Sequence, residues 1–270
     1  MRPRPRLRWT EVVRARAVVL ALALAAPAAA EPVPITPAER RSGITFAGPQ
    51  TQGLQADDTA NPGMLFVLDG AQLWQAPAGS AQRACADCHG AAEHSMRGVA
   101  ARYPAFDAAS GAALDLSGRI NACRTRHQDA PQLASEEPGL LALAAFVGFQ
   151  SRGLPLAPPQ DPPMAAVRKE GRRLYETRMG QLRLSCAECH DALWANRLGS
   201  SPITQGQAGA YPIYRLEWQG LGSLQRRMRA CMSGVRAEPF APGAPEFIAL
   251  EAYLAERGAG LPVETPGVRP

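Results

Sequence analysis

The 270-residue sequence is poor in aromatic side chains, at 6% of residues, and holds only four histidines. A core so short of large rings fits domains whose interior is filled partly by something other than side chains. Long apolar runs are also scarce. The stretch "AVVLALALAA" falls well short of the roughly 20 residues a helix needs to cross a bilayer. It follows the arginine-rich "MRPRPRLRWTEVVRAR" and precedes "PAAA", so residues 1–30 read as a secretory signal cut near Ala30. No second run of spanning length follows, which excludes a membrane span after cleavage. Excess charge is missing too. Residues 1–30 carry six arginines and one acid, which leaves 23 of the 29 basic and 23 of the 24 acidic residues. The basic balance therefore belongs to the signal, and nothing in the remaining chain argues for nucleic acid.

What is present is a set of six cysteines. Four of them lie in two matching frames, "CADCH" (Cys85, Cys88, His89) and "CAECH" (Cys186, Cys189, His190). C-x-x-C-H is the attachment motif of c-type haem, in which the thiols form thioethers and the histidine becomes an axial ligand. A thioredoxin-like pair needs a β-α-β setting, whereas the flanks here read as helix and loop, and a zinc site accounts less well for two such pentapeptides. The sequence thus implies two covalently bound c-type haems.

The repeat extends well beyond these boxes. "GAQLW" at Gly70 answers "GRRLY" at Gly171, each glycine fifteen residues before its first cysteine. "RYPAF" answers "AYPIY", "LSGRINAC" answers "LQRRMRAC", and "ALAAFVGFQSRGLP" answers "ALEAYLAERGAGLP". Both copies end in an apolar helix stopped by Gly-Leu-Pro. The expected fold is all-α: a tandem of two class I cytochrome c-like haem domains with long loops. Residues 31–154 form the first domain with an N-terminal extension, residues 164–270 the second, and the proline-rich residues 155–163 a semi-rigid linker.

A haem iron usually takes a second axial ligand, most often methionine or histidine. His94, His127 and the methionines have no counterparts between the copies; cysteine does. Cys123 comes 34 residues after His89, and Cys231 comes 41 after His190. The two could be joined in a disulfide, could be inert buried thiols, or could each ligate the iron of its own haem. Thiolate ligation would lower the reduction potential and make a poor ordinary shuttle, which points to chemistry at sulfur. Arg119 and Arg227 each precede their cysteine by four residues, one helical turn. A guanidinium there lowers a thiol pKa and offers donors to an oxyanion. The second copy adds Arg229 and Arg236; the first has Arg124 and Arg126.

The paired haem boxes, then "CMSGVRAEPF" and "PEFIALEAYLAERGAGLPVETPGV", resemble the SoxA family, the dihaem subunits of SoxAX complexes in bacterial thiosulfate oxidation. The resemblance implies a periplasmic cytochrome c-dependent L-cysteine S-thiosulfotransferase. It would join thiosulfate to a cysteine of the SoxYZ carrier, work with a SoxX-like monohaem cytochrome c, and pass two electrons to a cytochrome c acceptor. It also implies roles for residues. Cys231 would be catalytic, found in the family as a persulfide, and distal ligand of the second haem. Arg227 would hold the sulfonate. Cys123 would be distal ligand of the first haem, with His89 and His190 proximal. Rival readings are a dihaem electron carrier, a dihaem peroxidase, or a thiosulfate dehydrogenase without carrier conjugation.

Overall fold

A computed structural model describes residues 34–270; the expected signal segment lies outside the described residues. The helices are α1 (Pro49–Ala56), α2 (Gly63–Gln75), α3 (Cys85–His89), α4 (Ala92–Ser95), α5 (Leu116–His127), α6 (Pro138–Phe149), α7 (Pro162–Glu176), α8 (Leu224–Gly234) and α9 (Pro245–Arg257). The strands are β1 (Ala105–Asp107), β2 (Ala112–Leu114), β3 (Arg197–Leu198), β4 (Ser201–Pro202), β5 (Ile213–Arg215), β6 (Gly220–Gly222) and β7 (Gly267–Arg269).

Two helix crossings form the frame. In α2 the buried face is Gly63, Val67, Gly70 and Trp74; in α7 it includes Met164, Arg168, Gly171 and Tyr175. Both sets follow the helical period, and each residue of the second lies 101 positions after its counterpart. The partner α6 is apolar nearly all round, and α9 buries eight of its thirteen residues despite three glutamates. The repeated glycines sit where the axes meet. A Cβ on Gly70 would stand 2.2 Å from the Ala142 carbonyl oxygen, and one on Gly171 would stand 1.9 Å from that of Ala249. Neither position has room for any other residue, because the obstacle is backbone.

After each haem box the chain makes a short antiparallel hairpin, β1–β2 or β5–β6, and then the helix that carries the lone cysteine. The helix starts are set by Asp115, whose carboxylate accepts from Gly118 N at 2.6 Å, and by Ser223, whose hydroxyl accepts from Arg226 N at 3.1 Å. β7 joins β5 in parallel. These small sheets correct the all-α expectation: the fold is mainly helical, with short sheets between the helices. Strands of two or three residues leave no alternating pattern to read.

Residues 155–163, expected to be a semi-rigid linker, are held at their start. Leu156 is buried against Ala101 and Val263. The two Gly-Leu-Pro ends pair with each other across Pro155 and Pro262. Gly153 N donates to Val263 O and Gly260 N to Leu156 O, both at 2.9 Å. Leu156 N donates to Leu261 O at 2.8 Å and Val263 N to Leu154 O at 2.9 Å. Each bond has its counterpart 107 residues away, so the contact reads the same from either half. Further bonds run between the halves, such as Gln225 Nε2 to Asp115 Oδ2 at 3.2 Å. The described residues form one compact unit.

Candidate active site

Each haem box is a short helical turn fixed at its start by an acid three residues on. Asp87 accepts from Ala84 N at 2.8 Å, and Glu188 accepts from Ser185 N at 2.7 Å. Each leans on the buried aromatic of the preceding crossing. Trp74 Nε1 donates to Gly90 O at 3.1 Å. The Tyr175 hydroxyl reaches Asp191 Oδ1 at 3.2 Å, and Asp191 in turn is paired with Arg257 at 2.7 Å in the interior.

The structure brings each lone cysteine to its own box. Cys123, in α5, lies beside Cys85 and Cys88; Cys231, in α8, lies beside Cys186 and Cys189 and faces His190. No two of the six cysteines are joined to each other, and Cys123 and Cys231 stand at different boxes, which sets aside a disulfide between them. The imidazoles differ. His190 Nδ1 donates to Thr204 O at 2.6 Å, which leaves Nε2 as the ligating atom. Gly206, at φ +70°, lies so close over the ring that a Cβ there would be 3.2 Å from His190 Cγ. Thr204 belongs to a stretch without an equivalent in the first copy: 21 residues separate His190 from Tyr211, but only 14 separate His89 from Tyr103. His89 is exposed and rests against Trp74, with ring centroids 5.6 Å apart.

The electrostatics differ more sharply. Cys231 opens to solvent at its surface, yet protein atoms crowd its thiol. That crowding pushes the thiol pKa up, but the facing His190, Arg227 and Arg215 together bring it below the ordinary value. Around Cys123 burial prevails, and the thiol is held above its ordinary value despite Arg119 and Arg126. Half-buried Tyr211 lies near Cys231 and Arg227, and desolvation pushes its pKa up to about 12, so its hydroxyl stays protonated.

Arg119 and Arg227 are placed as their spacing predicts, on the cysteine helices. Arg215 of β5 is among the main groups that act on Cys231, although it was not among the arginines the sequence singled out. Its signal was available as the residue closing the "YPIY" repeat, where the first copy has Asp107.

The donor set suits c-type haem. In the second centre two thiols, an imidazole with its tautomer fixed, and the third sulfur of Cys231 meet beside the apolar Leu224, Met228, Ala237 and Phe240. Among the described residues no cluster of three or more His, Cys, Asp or Glu is arranged to hold a bare metal ion.

Comparison with known proteins agrees. The family described as "SoxA/TsdA, cytochrome c domain" matches residues 69–156 and 170–263. The L-cysteine S-thiosulfotransferase subunit SoxA of Rhodovulum sulfidophilum is 42% identical over 231 residues, 86% of this chain and 80% of the relative. The chain belongs to the SoxA family. The SoxA subunit of Paracoccus pantotrophus is 36% identical over 228 residues, 84% of this chain and 78% of that one. The crystal structure of SoxXA from P. pantotrophus superposes with a TM-score of 0.82 at 36% identity, covering 85% of this SoxA-family chain and 86% of the other. Membership carries with it a covalently bound c-type haem.

Proposed function

We propose that the chain is the dihaem subunit of a periplasmic L-cysteine S-thiosulfotransferase that joins thiosulfate oxidatively to a cysteine of a SoxYZ-type carrier. The observation that carries this reading is the placement of Cys231, opposite His190 and beside Cys186 and Cys189, with Arg227 and Arg215 next to it. The names of the SoxA relatives support the same activity. Residues 31–154 and 164–270 form the two haem-bearing halves, joined by 155–163, and residues 1–30 direct export.

Cys85 and Cys88 would hold one haem and Cys186 and Cys189 the other, with His89 and Cys123 as ligands to the first iron and His190 and Cys231 as ligands to the second. When bound, the second haem supplies a one-electron acceptor and a resting place that shields the Cys231 sulfur. The chain's own residues do the rest. Arg227 holds the sulfonate oxygens of thiosulfate and turns its terminal sulfur toward Cys231. The Cys231 sulfur, as thiolate or persulfide, bonds to that terminal sulfur with loss of two electrons, which leave for two oxidised cytochrome c molecules. The carrier thiolate then attacks the bonded sulfane sulfur. Carrier–S–S–SO₃⁻ is released and the Cys231 anion restored, an exchange of the thiol–disulfide kind. Overall, thiosulfate and the carrier thiol lose two electrons and one proton. A smaller SoxX-like monohaem cytochrome c completes the assembly.

The test is Cys231→Ala in the assembled holoprotein. Conjugation is expected to vanish while the intact mass still shows two haems and no residues 1–30. Retained conjugation would refute the catalytic role. Mass spectrometry of the Cys231 peptide distinguishes thiol from persulfide.

A further inference from the structure

The two cysteine helices follow hairpins of the same register. Asp107 ends β1 opposite Ala112, and Arg215 ends β5 opposite Gly220. Each lies 16 residues before its cysteine. The equivalent position thus holds an acid in one half and a base in the other.

In the first half that acid neutralises the local bases. Asp107 is paired with Arg119 at 3.1 Å and takes both fork nitrogens of Arg126, at 3.2 and 2.6 Å. Arg119 also donates to the Tyr103 hydroxyl at 3.2 Å. Two guanidinium groups are thus held on one carboxylate, and an incoming anion would have to compete with that carboxylate for both.

In the second half Arg227 keeps the place of Arg119, but Arg215 replaces the acid and Gly234 stands where Arg126 would be. Arg215 and Arg227 face each other and Cys231. The acid paired with Arg215 is Glu217, at 2.9 Å, whose side chain is 53% exposed. Arg215 Nε is buried with no hydrogen-bond partner. Its guanidinium lies over Trp218, 5.1 Å from the ring centroid, with Arg226 over the same ring at 4.0 Å. Two facing guanidinium groups without an acid between them repel each other, and a buried unpaired N–H adds to the cost. An anion with several oxygens relieves both at once.

Resting on the thiosulfate reading above, we propose that Arg215 is a second anion-binding residue of the Cys231 site: with Arg227 it grips the sulfonate of the substrate dianion, and the acid-to-arginine exchange at this register makes the second centre, and not the first, the one that accepts thiosulfate.

The experiment uses the complete haem-loaded complex with Arg215→Gln and Arg215→Lys. Thiosulfate affinity is measured by calorimetry without carrier, sulfate is titrated as an unreactive dianion competitor, and conjugation kinetics are taken separately. Loss of a charge-assisted hydrogen bond corresponds to about 10- to 100-fold. Arg215→Gln should weaken thiosulfate binding and raise KM by that factor, and should weaken sulfate competition in parallel, with the haem spectrum unchanged. Arg215→Lys, which keeps the charge and loses the fork, should fall between, at about threefold or more. Should the Gln variant fail to load haem, the Lys variant decides. Unchanged thiosulfate and sulfate affinity in a well-loaded variant overturns the assignment. If Cys231→Ala abolishes conjugation while the Arg215 variants bind normally, the inference about Arg215 fails alone. If Cys231→Ala remains active, the catalytic reading itself fails.

Discussion

The two halves hold the same attachment motif, the same glycine-mediated crossing and the same hairpin before the cysteine helix, yet their centres are chemically unlike. In the first, Asp107 closes a circuit with Arg119 and Arg126, and burial keeps Cys123 above its ordinary pKa. In the second, two arginines lack an acid between them, Cys231 is drawn toward the thiolate, and His190 is buttressed by Thr204. The frame is set by backbone contacts that tolerate no change, whereas the centre is set by a few side chains that can be exchanged without disturbing it. Identical attachment motifs therefore do not imply identical chemistry.

The comparison is best broken at its cysteines. Cys231→Ala should abolish conjugation, a loss of several orders of magnitude for a missing nucleophile. Cys123→Ala should alter the first haem's spectrum and leave turnover within a few fold. Steady-state assays with reduced carrier and oxidised cytochrome c would show it, and the reverse result would move the active site to the first half. Next comes Arg227→Ala, expected to cost about 10- to 100-fold in kcat/KM for thiosulfate, the worth of a charge-assisted hydrogen bond. Arg119→Ala should cost far less activity.

The shared frame can be tested separately. Gly70→Ala and Gly171→Ala should each destabilise by about 1–3 kcal/mol or more, since the new methyl meets a carbonyl that cannot yield. Similar losses in Tm would support an equivalent frame in both halves; tolerance of either would undo that equivalence. The smallest effect concerns acid. Arg126 above all holds the Asp107 carboxyl well below the usual carboxylate range. A depressed folded-state pKa contributes stability that is present above the unfolded value, near 4, and is lost as pH falls below it. Asp107→Asn should thus lower Tm at neutral pH and flatten the decline of Tm on acidification below about pH 4. An unchanged acid limb would show the pair to be energetically idle.

Much of this was legible in the sequence. The attachment cysteines, the repeat, the lone cysteines and the arginines one turn before them all have fixed spacings, and spacing survives in sequence. The hairpins were missed because three residues show no alternation. Thr204 was missed because a backbone carbonyl has no residue signature. Arg215 was missed because the "YPAF" and "YPIY" copies were matched for their likeness, and the informative residue was the next one, where they differ. The proline stretch read as a spacer from its composition, which is silent about Leu156 docking against Val263.

The pairing of the two Gly-Leu-Pro ends has a further consequence. A contact whose bonds map onto one another under exchange of the halves is isologous, the kind formed by two identical subunits about a dyad. Here the dyad lies within one polypeptide. The relative pose of the two Cys-x-x-Cys-His boxes is consequently anchored by main-chain bonds close to that axis, which exchange of side chains around either box leaves in place. The side chains around one box can therefore change while the spacing of the two boxes stays constant.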